Sequence, residues 1–156
     1  MLSAFALVLC IGAGTVGGVF FAFSTFVMKA LAGLPASQGI AAMKRINVVV
    51  LNPLFLGVFM GTALLSVVCV GVSVLSWNGL RSALLLASGL LYFVGSFLVT
   101  VAFNVPRNEK LARLNSQSPE ASTYWPAYVR GWTIWNHVRT VASIASSTCA
   151  ASALAL

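Results

Sequence analysis

Acidic residues are nearly absent from this sequence. Only Glu109 and Glu120 occur among 156 residues, and all charged residues together make up 7%, against roughly 25% in a typical soluble domain. A soluble protein of this size could not cover its surface with so few charges, whereas a surface that faces lipid needs none. Neither acid lies in a long apolar stretch, which excludes a pair of carboxylates for acid–base catalysis within a membrane.

Metal ligands are also scarce. His137 is the only histidine, and Cys10, Cys69 and Cys149 lie in separate apolar runs without a CxxC pair. Three thiols cannot all pair, so buried thiols that act as small hydrophobic side chains are favoured over a disulfide framework. A copper(I) site of these cysteines is the alternative, but no Met or His partner lies at a matching depth. The sequence predicts no metal and no cofactor, and it leaves the role of the cysteines open.

The basic residues outnumber the acids and give a net charge of +7. They lie in short segments between apolar runs, not on one face of a polar scaffold, so nucleic acid is not an expected partner. The expected partner is the lipid bilayer.

Long apolar runs fill most of the chain, of which 60% is hydrophobic. A transmembrane helix needs about 20 such residues, and four stretches reach that length, at about 2–28, 52–75, 82–103 and 132–156. The sequence therefore predicts an all-α fold, an integral membrane four-helix bundle that forms a single domain over residues 1–156.

The segments between the spans carry helix signals of their own. Apolar residues recur at helical spacing over 35–50, and Pro106 and the pair Ser118-Pro119 are typical of helix starts. These patterns predict short interfacial helices in the first and third loops.

Small residues predict where the helices pack. Gly14 and Gly18 form a GxxxG pair in the first span, and Gly57 and Gly61 form another in the second. Such pairs let helix backbones approach closely where lipid supplies no hydrophobic drive. Both faces are therefore expected to pack tightly against neighbouring helices.

The basic residues also orient the spans. The second loop carries only Arg81, whereas the first and third loops carry Lys29, Lys44, Arg45, Arg107, Lys110, Arg113 and Arg130. The positive-inside rule places the richer loops in the cytoplasm. We therefore expect a multi-pass protein of the cell inner membrane with both termini outside.

This antiparallel threading brings polar residues from different spans to one depth near the cytoplasmic end. Arg139 lies about two turns into the fourth span, and a charge at the centre of a span costs at least ~2.5 kcal/mol. Arg139 either snorkels to the headgroups or faces inward in a polar cluster with Asn136. Ionisable groups inside a membrane are functional candidates.

Other residues at this depth each have two interpretations. His137 is either a hydrogen-bonded structural group or a proton acceptor, since histidine changes charge closest to neutral pH. Trp132 and Trp135 belong either to an aromatic belt or to the walls of a pocket. Asn52 and Asn104 each lie just before a proline and are either helix caps or site residues.

Four stretches carry a family resemblance: GTVGGVFFAFSTFVM (14–28), AAMKRINVVVLNPLF (41–55), FLVTVAFNVPRNEKL (97–111) and WTIWNHVRT (132–140). Together they touch all four spans, and they resemble the bacterial DUF1772 family, which is also described as anthrone oxygenase-like. The resemblance implies oxidation of a lipophilic aromatic, anthrone-type substrate by O2. Some members are described as oxygenases without an evident metal or flavin.

The implied reaction assigns roles to residues of this chain. An anthrone that loses a proton from its central carbon becomes an electron-rich anion that can react with O2 directly. The site must supply a base, donors for the oxyanion and a flat apolar slot. We expect His137 as the base and Arg139 and Asn136 as anion stabilisers. Residues expected to bind the substrate are Trp132, Trp135, Asn52 and Asn104.

A non-catalytic membrane protein is the alternative. In that case the polar cluster only locks the helices, in a binding, structural or transport-accessory role, and Asn136 and Arg139 satisfy each other and leave no cavity. A transporter would need a polar pathway through the bundle and, with four spans, oligomerisation. A homo-oligomer therefore stays open.

Overall fold

The computed structural model describes residues 2–156, and their side chains from Ser3 onward. Most of the described chain is helical and it contains no strand, so the predicted all-α fold is confirmed. The α-helices are, in chain order, α1 (Leu2–Ala22), α2 (Met28–Ala32), α3 (Ala36–Val49), α4 (Pro53–Leu75), α5 (Gly79–Tyr92), α6 (Val105–Arg113) and α7 (Pro119–Leu154).

Three π-helical stretches join some of these helices into longer rods. Phe23–Val27 connects α1 to α2, and Phe93–Leu98 and Thr100–Asn104 connect α5 to α6. Extra residues in a helical turn rotate the side chains that follow, and π-helical turns are frequent at functional sites. The described chain thus consists of five continuous helices.

Three of the helices have the length and composition of membrane spans: Ser3–Ala32, Pro53–Leu75 and Gly79–Arg113. The chain is therefore a membrane protein. The fourth predicted span, 132–156, does not belong to this set, because serine, threonine and other polar residues interrupt its apolar run. A count of four spans stays a prediction.

The polarity of α7 follows from its position among the other helices. α1 and α5 both pack along α7, and α4 packs against α1 and α5. The hydroxyl of Ser143 donates to Ser96 Oγ at 3.0 Å, and Ser146 and Ser88 each donate to the other's backbone carbonyl at 2.8 Å. Ser143 and Ser146 of α7 are thus satisfied inside the bundle.

Both predicted interfacial segments are helical, as α3 and α6. Together with α2 and the first turns of α7 they enclose an apolar core at one end of the bundle. Its largest fully buried members are Met28, Ile40, Met43, Leu111 and Tyr128. This core holds the first half of α7 against α3 and α6 and so fixes the approach of α7 to the bundle.

The predicted GxxxG faces do not mark the closest helix contacts. A Cβ added at Gly18, Gly57 or Gly61 would meet no heavy atom of the described chain within 4 Å, because these glycines lie on exposed sides of their helices. The prediction is wrong for these three. Gly14 does face α7, where a Cβ would lie 3.1 Å from Ser147 Oγ. Closer approaches occur at glycines outside the pairs, among them Gly89 of α5, where a Cβ would lie 2.6 Å from the carbonyl oxygen of Ser66 in α4.

We expect Gly89→Ala to destabilise the bundle, because the added methyl group would meet backbone that cannot rotate away. Overpacking of this kind costs typically about 1–3 kcal/mol. Gly61→Ala is the matched control, since its methyl group points into open space. Thermal unfolding in detergent measures both. Equal midpoints for the two variants would contradict the close contact of α4 and α5.

Candidate functional site

A cavity of about 450 Å³ lies near one end of the bundle, within the usual range for small-molecule sites. We call it the site cavity. Its lining comes from the end of α1, the α3–α4 junction, the π-helical part of the α5–α6 rod and α7. Its walls are largely apolar and include five phenylalanines, Phe20, Phe23, Phe55, Phe59 and Phe97.

All three π-helical stretches contribute to this lining. Phe23, Phe97, Thr100 and Asn104 lie in them, and all four residues line the site cavity. The irregular turns are therefore concentrated where the polar cluster was expected, which agrees with the tendency of π-helical turns to mark functional sites.

Arg139 is buried at the inner end of the cavity, with 4% of its surface exposed. Its Nη2 donates to Asn136 Oδ1 at 2.6 Å and its Nη1 to Thr100 Oγ1 at 3.1 Å. Its Cζ atom lies 4.1 Å from the ring centroid of Phe20 and 5.1 Å from that of Trp132. Of the two interpretations from the sequence, the geometry agrees with the inward-facing one.

The hydrogen-bond partners of Arg139 are neutral. An amide oxygen and a hydroxyl hold the guanidinium in place, but neither carries a countercharge. A buried cation held only by neutral groups is electrostatically favourable for an anion. The inner end of the site cavity is therefore suited to a ligand with negative charge.

Asn136 fixes the position of the guanidinium. Its Nδ2 donates to the carbonyl oxygen of Phe20 and to Ser24 Oγ, both at 2.7 Å, while its Oδ1 accepts from Arg139. The side chain is thereby satisfied on both ends and bridges α1 to α7. Asn136 itself is not part of the cavity lining, so it contributes to the site by positioning Arg139.

Three polar atoms of cavity residues have no hydrogen-bond partner among the described residues: Asn104 Oδ1, Trp132 Nε1 and Arg139 Nε. All three side chains line the cavity and expose 5% of their surface or less. Asn104 Nδ2 does donate to the backbone carbonyl of Trp132, at 3.2 Å. Leaving a buried polar group unpaired costs about 1–3 kcal/mol, which a ligand with matching acceptor and donor atoms would offset.

Three other residues predicted from the sequence lie outside the cavity lining. His137 is exposed, because it follows Asn136 by one position and one position rotates a helical side chain by about 100°. Trp135 stacks on Phe103 with ring centroids 3.5 Å apart. Asn52 is exposed and caps α4 by accepting from the backbone N–H of Phe55 at 2.9 Å. None of the three makes a contact with the cavity that would support its predicted role in the site.

One polar residue near the rim of the cavity, Asn108, was not among the site residues predicted from the sequence. Asn108 lines the cavity and accepts from the Tyr128 hydroxyl at 2.8 Å. Burial raises the pKa of Tyr128, partly offset by a hydrogen bond to Asn47, so the phenol stays protonated and donates. The available signal was the spacing of Thr100, Asn104 and Asn108, which at i, i+4 and i+8 lie on one helix face.

Charged residues line only the outer part of the cavity, apart from Arg139. Lys44 and Glu109 contribute to this rim, and Lys44 Nζ donates to the carbonyl oxygen of Leu114 at 2.8 Å. Within residues 2–156, His, Cys, Asp and Glu side chains form no group of three that could hold a metal ion.

Comparison with known proteins gives one match. Residues 54–149 match the family model described as anthrone oxygenase. No curated protein and no solved structure matches the chain. The matched stretch covers well over half of the chain and contains Thr100, Asn104, Trp132, Asn136 and Arg139.

Proposed function

The chain belongs to the anthrone oxygenase family, and we propose that its site cavity oxidises a lipophilic aromatic substrate of the anthrone type with O2. The buried Arg139 guanidinium at the inner end of an aromatic cavity carries the proposal. A membrane protein that only locks its helices with a polar cluster needs neither the cavity nor unpaired donors inside it.

The aromatic walls suit the flat body of such a substrate. Phe20, Phe59 and Phe97 line the cavity, with the rings of Phe59 and Phe97 centred 5.7 Å apart and those of Phe20 and Phe59 centred 6.3 Å apart. Fused rings packed here would be shielded from water, which strengthens every electrostatic interaction at Arg139.

The donors suit the anion that the reaction requires. When an anthrone loses a proton from its central CH2 carbon, the negative charge spreads to the carbonyl oxygen. Arg139 Nε–H and Trp132 Nε1–H are the unpaired donors for that oxygen, and Asn104 Oδ1 accepts from a hydroxyl of the substrate. Preorganised donors at a developing oxyanion are usually the largest contribution to catalysis.

The chemistry then needs no redox cofactor. The carbanion transfers one electron to O2, and the carbon radical and superoxide combine into a C–O bond. The peroxide anion takes up a proton to give a hydroperoxide. Loss of the second proton from the same carbon breaks the O–O bond and expels hydroxide, which takes up a proton to give water. The CH2 group becomes C=O, so one O2 is reduced to one carbonyl oxygen and one water.

Protons are exchanged at the rim of the cavity in this proposal, since the two lost from carbon are matched by the two in the water that is formed. Glu109 is the acid that lines the rim, and it is exposed, so it can pass a proton to bulk water. We assign proton uptake to Glu109, directly or through water, in preference to His137, which lies outside the cavity lining.

The same proposal places the rim in the cytoplasm. The basic loops on that side orient the protein in the inner membrane with both termini outside. The site cavity then lies at the level of the inner leaflet, where a poorly water-soluble aromatic substrate concentrates.

Oxygen uptake by the purified protein in lipid nanodiscs tests the proposal. With anthrone as substrate, we expect uptake well above that of empty nanodiscs and one anthraquinone formed per O2 consumed. Uptake no faster than in empty nanodiscs, for anthrone and its hydroxylated derivatives alike, would contradict the proposed activity.

A conservative change at one donor gives a sharper prediction. Trp132→Phe keeps an aromatic ring and removes the unpaired N–H, and a hydrogen bond to a charged group is worth about 1.5–3 kcal/mol. We expect kcat/KM for anthrone to fall about 10-fold to 100-fold.

Trp135→Phe is the matched control for this change. It lies on the same helix, stacks on Phe103 and is not part of the cavity lining, so its kcat/KM should stay near that of the wild type. Equal losses in the two variants would remove Trp132 Nε1 from the site.

A further inference from the structure

The site cavity has an apolar opening on one side. Its lining includes five exposed apolar residues, whose exposed fractions range from 38% at Val105 to 63% at Val48 and Leu51. We call this opening the lipid-side window and define it by Val48, Leu51, Met60, Val101 and Val105.

The window exists because α4 diverges from the rod formed by α5 and α6. α4 packs along α5 and Phe93–Leu98 but, within the described chain, does not contact Thr100–Asn104 or α6. Below that point α3 packs against α6 and closes the gap from the other side. The window is therefore framed by helices and is open laterally.

The window faces lipid, not water. Met60 belongs to Pro53–Leu75 and Val101 to Gly79–Arg113, two of the helices with the composition of membrane spans. Exposed apolar side chains on such helices contact acyl chains in a bilayer. The polar part of the rim, at Lys44, Asn108 and Glu109, lies next to the window, one helical turn from Val48 and Val105.

The cavity therefore has a polar inner end and an apolar side that continues into the bilayer. We infer that its ligand is a hydroxylated aromatic carrying an aliphatic tail, whose rings lie at Arg139 while the tail extends through the lipid-side window into the membrane. A tail that stays in lipid needs no enclosing pocket. Each CH2 kept from water also holds the ligand more strongly in the bilayer.

The ring chemistry in this inference rests on the proposed function, whereas the tail rests on the window alone. Binding can therefore be measured without turnover. The probes are 1-hydroxyanthraquinones with an ethyl or a dodecyl substituent, added to nanodiscs at equal mole fractions in the lipid and followed by their visible absorption.

We expect the dodecyl probe to bind about as tightly as the ethyl probe, within about 2-fold. An enclosed cavity would reject the longer chain. Binding of the dodecyl probe at least about 10-fold weaker than that of the ethyl probe, or no binding of either, would overturn the inference.

A variant that fills the window adds an independent test. Val101→Trp should weaken binding of the dodecyl probe about 10-fold and that of the ethyl probe much less. Val94→Trp is the control, because Val94 lies on the same rod, is 50% exposed and is not part of the cavity lining. Equal binding of the dodecyl probe to the two variants would also overturn the inference.

The outcomes separate this inference from the proposed function. Tight, length-independent binding without oxygen uptake would support the tailed ligand and refute the oxidation. Oxygen uptake with anthrone together with rejection of the dodecyl probe would support the oxidation and refute the tail.

Discussion

Arg139→Met is expected to remove oxidation of anthrone while leaving the fold as stable as the wild type or more so. The guanidinium is the cation that lines the inner end of the cavity, and loss of a donor to an oxyanion costs about 10²–10³ in rate. The fold depends less on the charge. Asn136 Oδ1 loses its partner, at a cost of about 1–3 kcal/mol, but burying a cation without a countercharge is itself costly, and removing that cation offsets the loss.

Two measurements on the same preparation test this prediction. Oxygen uptake gives kcat/KM, and thermal unfolding in detergent gives stability. Arg139→Lys keeps a positive charge but cannot bond both Asn136 Oδ1 and Thr100 Oγ1 with one planar group. We expect it to recover part of the lost activity. Wild-type kcat/KM in Arg139→Met would show that no anion is stabilised there.

Asn136→Ala is expected to lower both activity and stability. The amide makes hydrogen bonds to Phe20 O, Ser24 Oγ and Arg139, and each buried partner left unpaired costs about 1–3 kcal/mol. The guanidinium would lose its closest partner and its fixed position. We therefore expect a clearly lower unfolding midpoint and a fall in kcat/KM of about 100-fold.

His137→Ala is the matched control, one position along the same helix. His137 is exposed and is not part of the cavity lining, so both the unfolding midpoint and kcat/KM should stay close to those of the wild type. A large loss of activity in His137→Ala with unchanged stability would instead make His137 the base and overturn the assignment to the rim.

The convergence of distant residues could be predicted because helix periodicity and threading determine it. Four apolar stretches, read as antiparallel spans, place Asn104, Asn136 and Arg139 at one depth. The structure joins Asn136 to Ser24 and Arg139, and Asn104 to the backbone of Trp132. The spacing of Trp132, Asn136 and Arg139 at three and four positions also predicts a shared helix face.

Depth alone could not separate residues that face the cavity from those that face away. His137 and Trp135 flank Asn136 in the chain, so they share its depth, but they lie on other sides of α7. Asn52 lies just before Pro53, and capping α4 satisfies its side chain outside the cavity. In each case a local helix rule outweighed the expectation based on depth.

The cavity itself could not be predicted from the sequence. It depends on three π-helical stretches and on the divergence of α4 from Thr100–Asn104, and both are products of tertiary packing. The GxxxG pair of α4 misled for a similar reason, since a Cβ added at Gly57 or Gly61 would meet no atom of the described chain within 4 Å, whereas one added at Gly89 would. A small residue shows where a helix can approach but not whether one does.

The most direct test follows the ionisation of bound anthrone by its absorption, without O2, as the pH is raised. A cation beside the ligand favours its anionic form, so anthrone bound to the protein should ionise at lower pH than anthrone in empty nanodiscs. Arg139→Met should abolish that shift. Ionisation at the same pH in wild type, variant and empty nanodiscs would contradict an anion-stabilising site at Arg139.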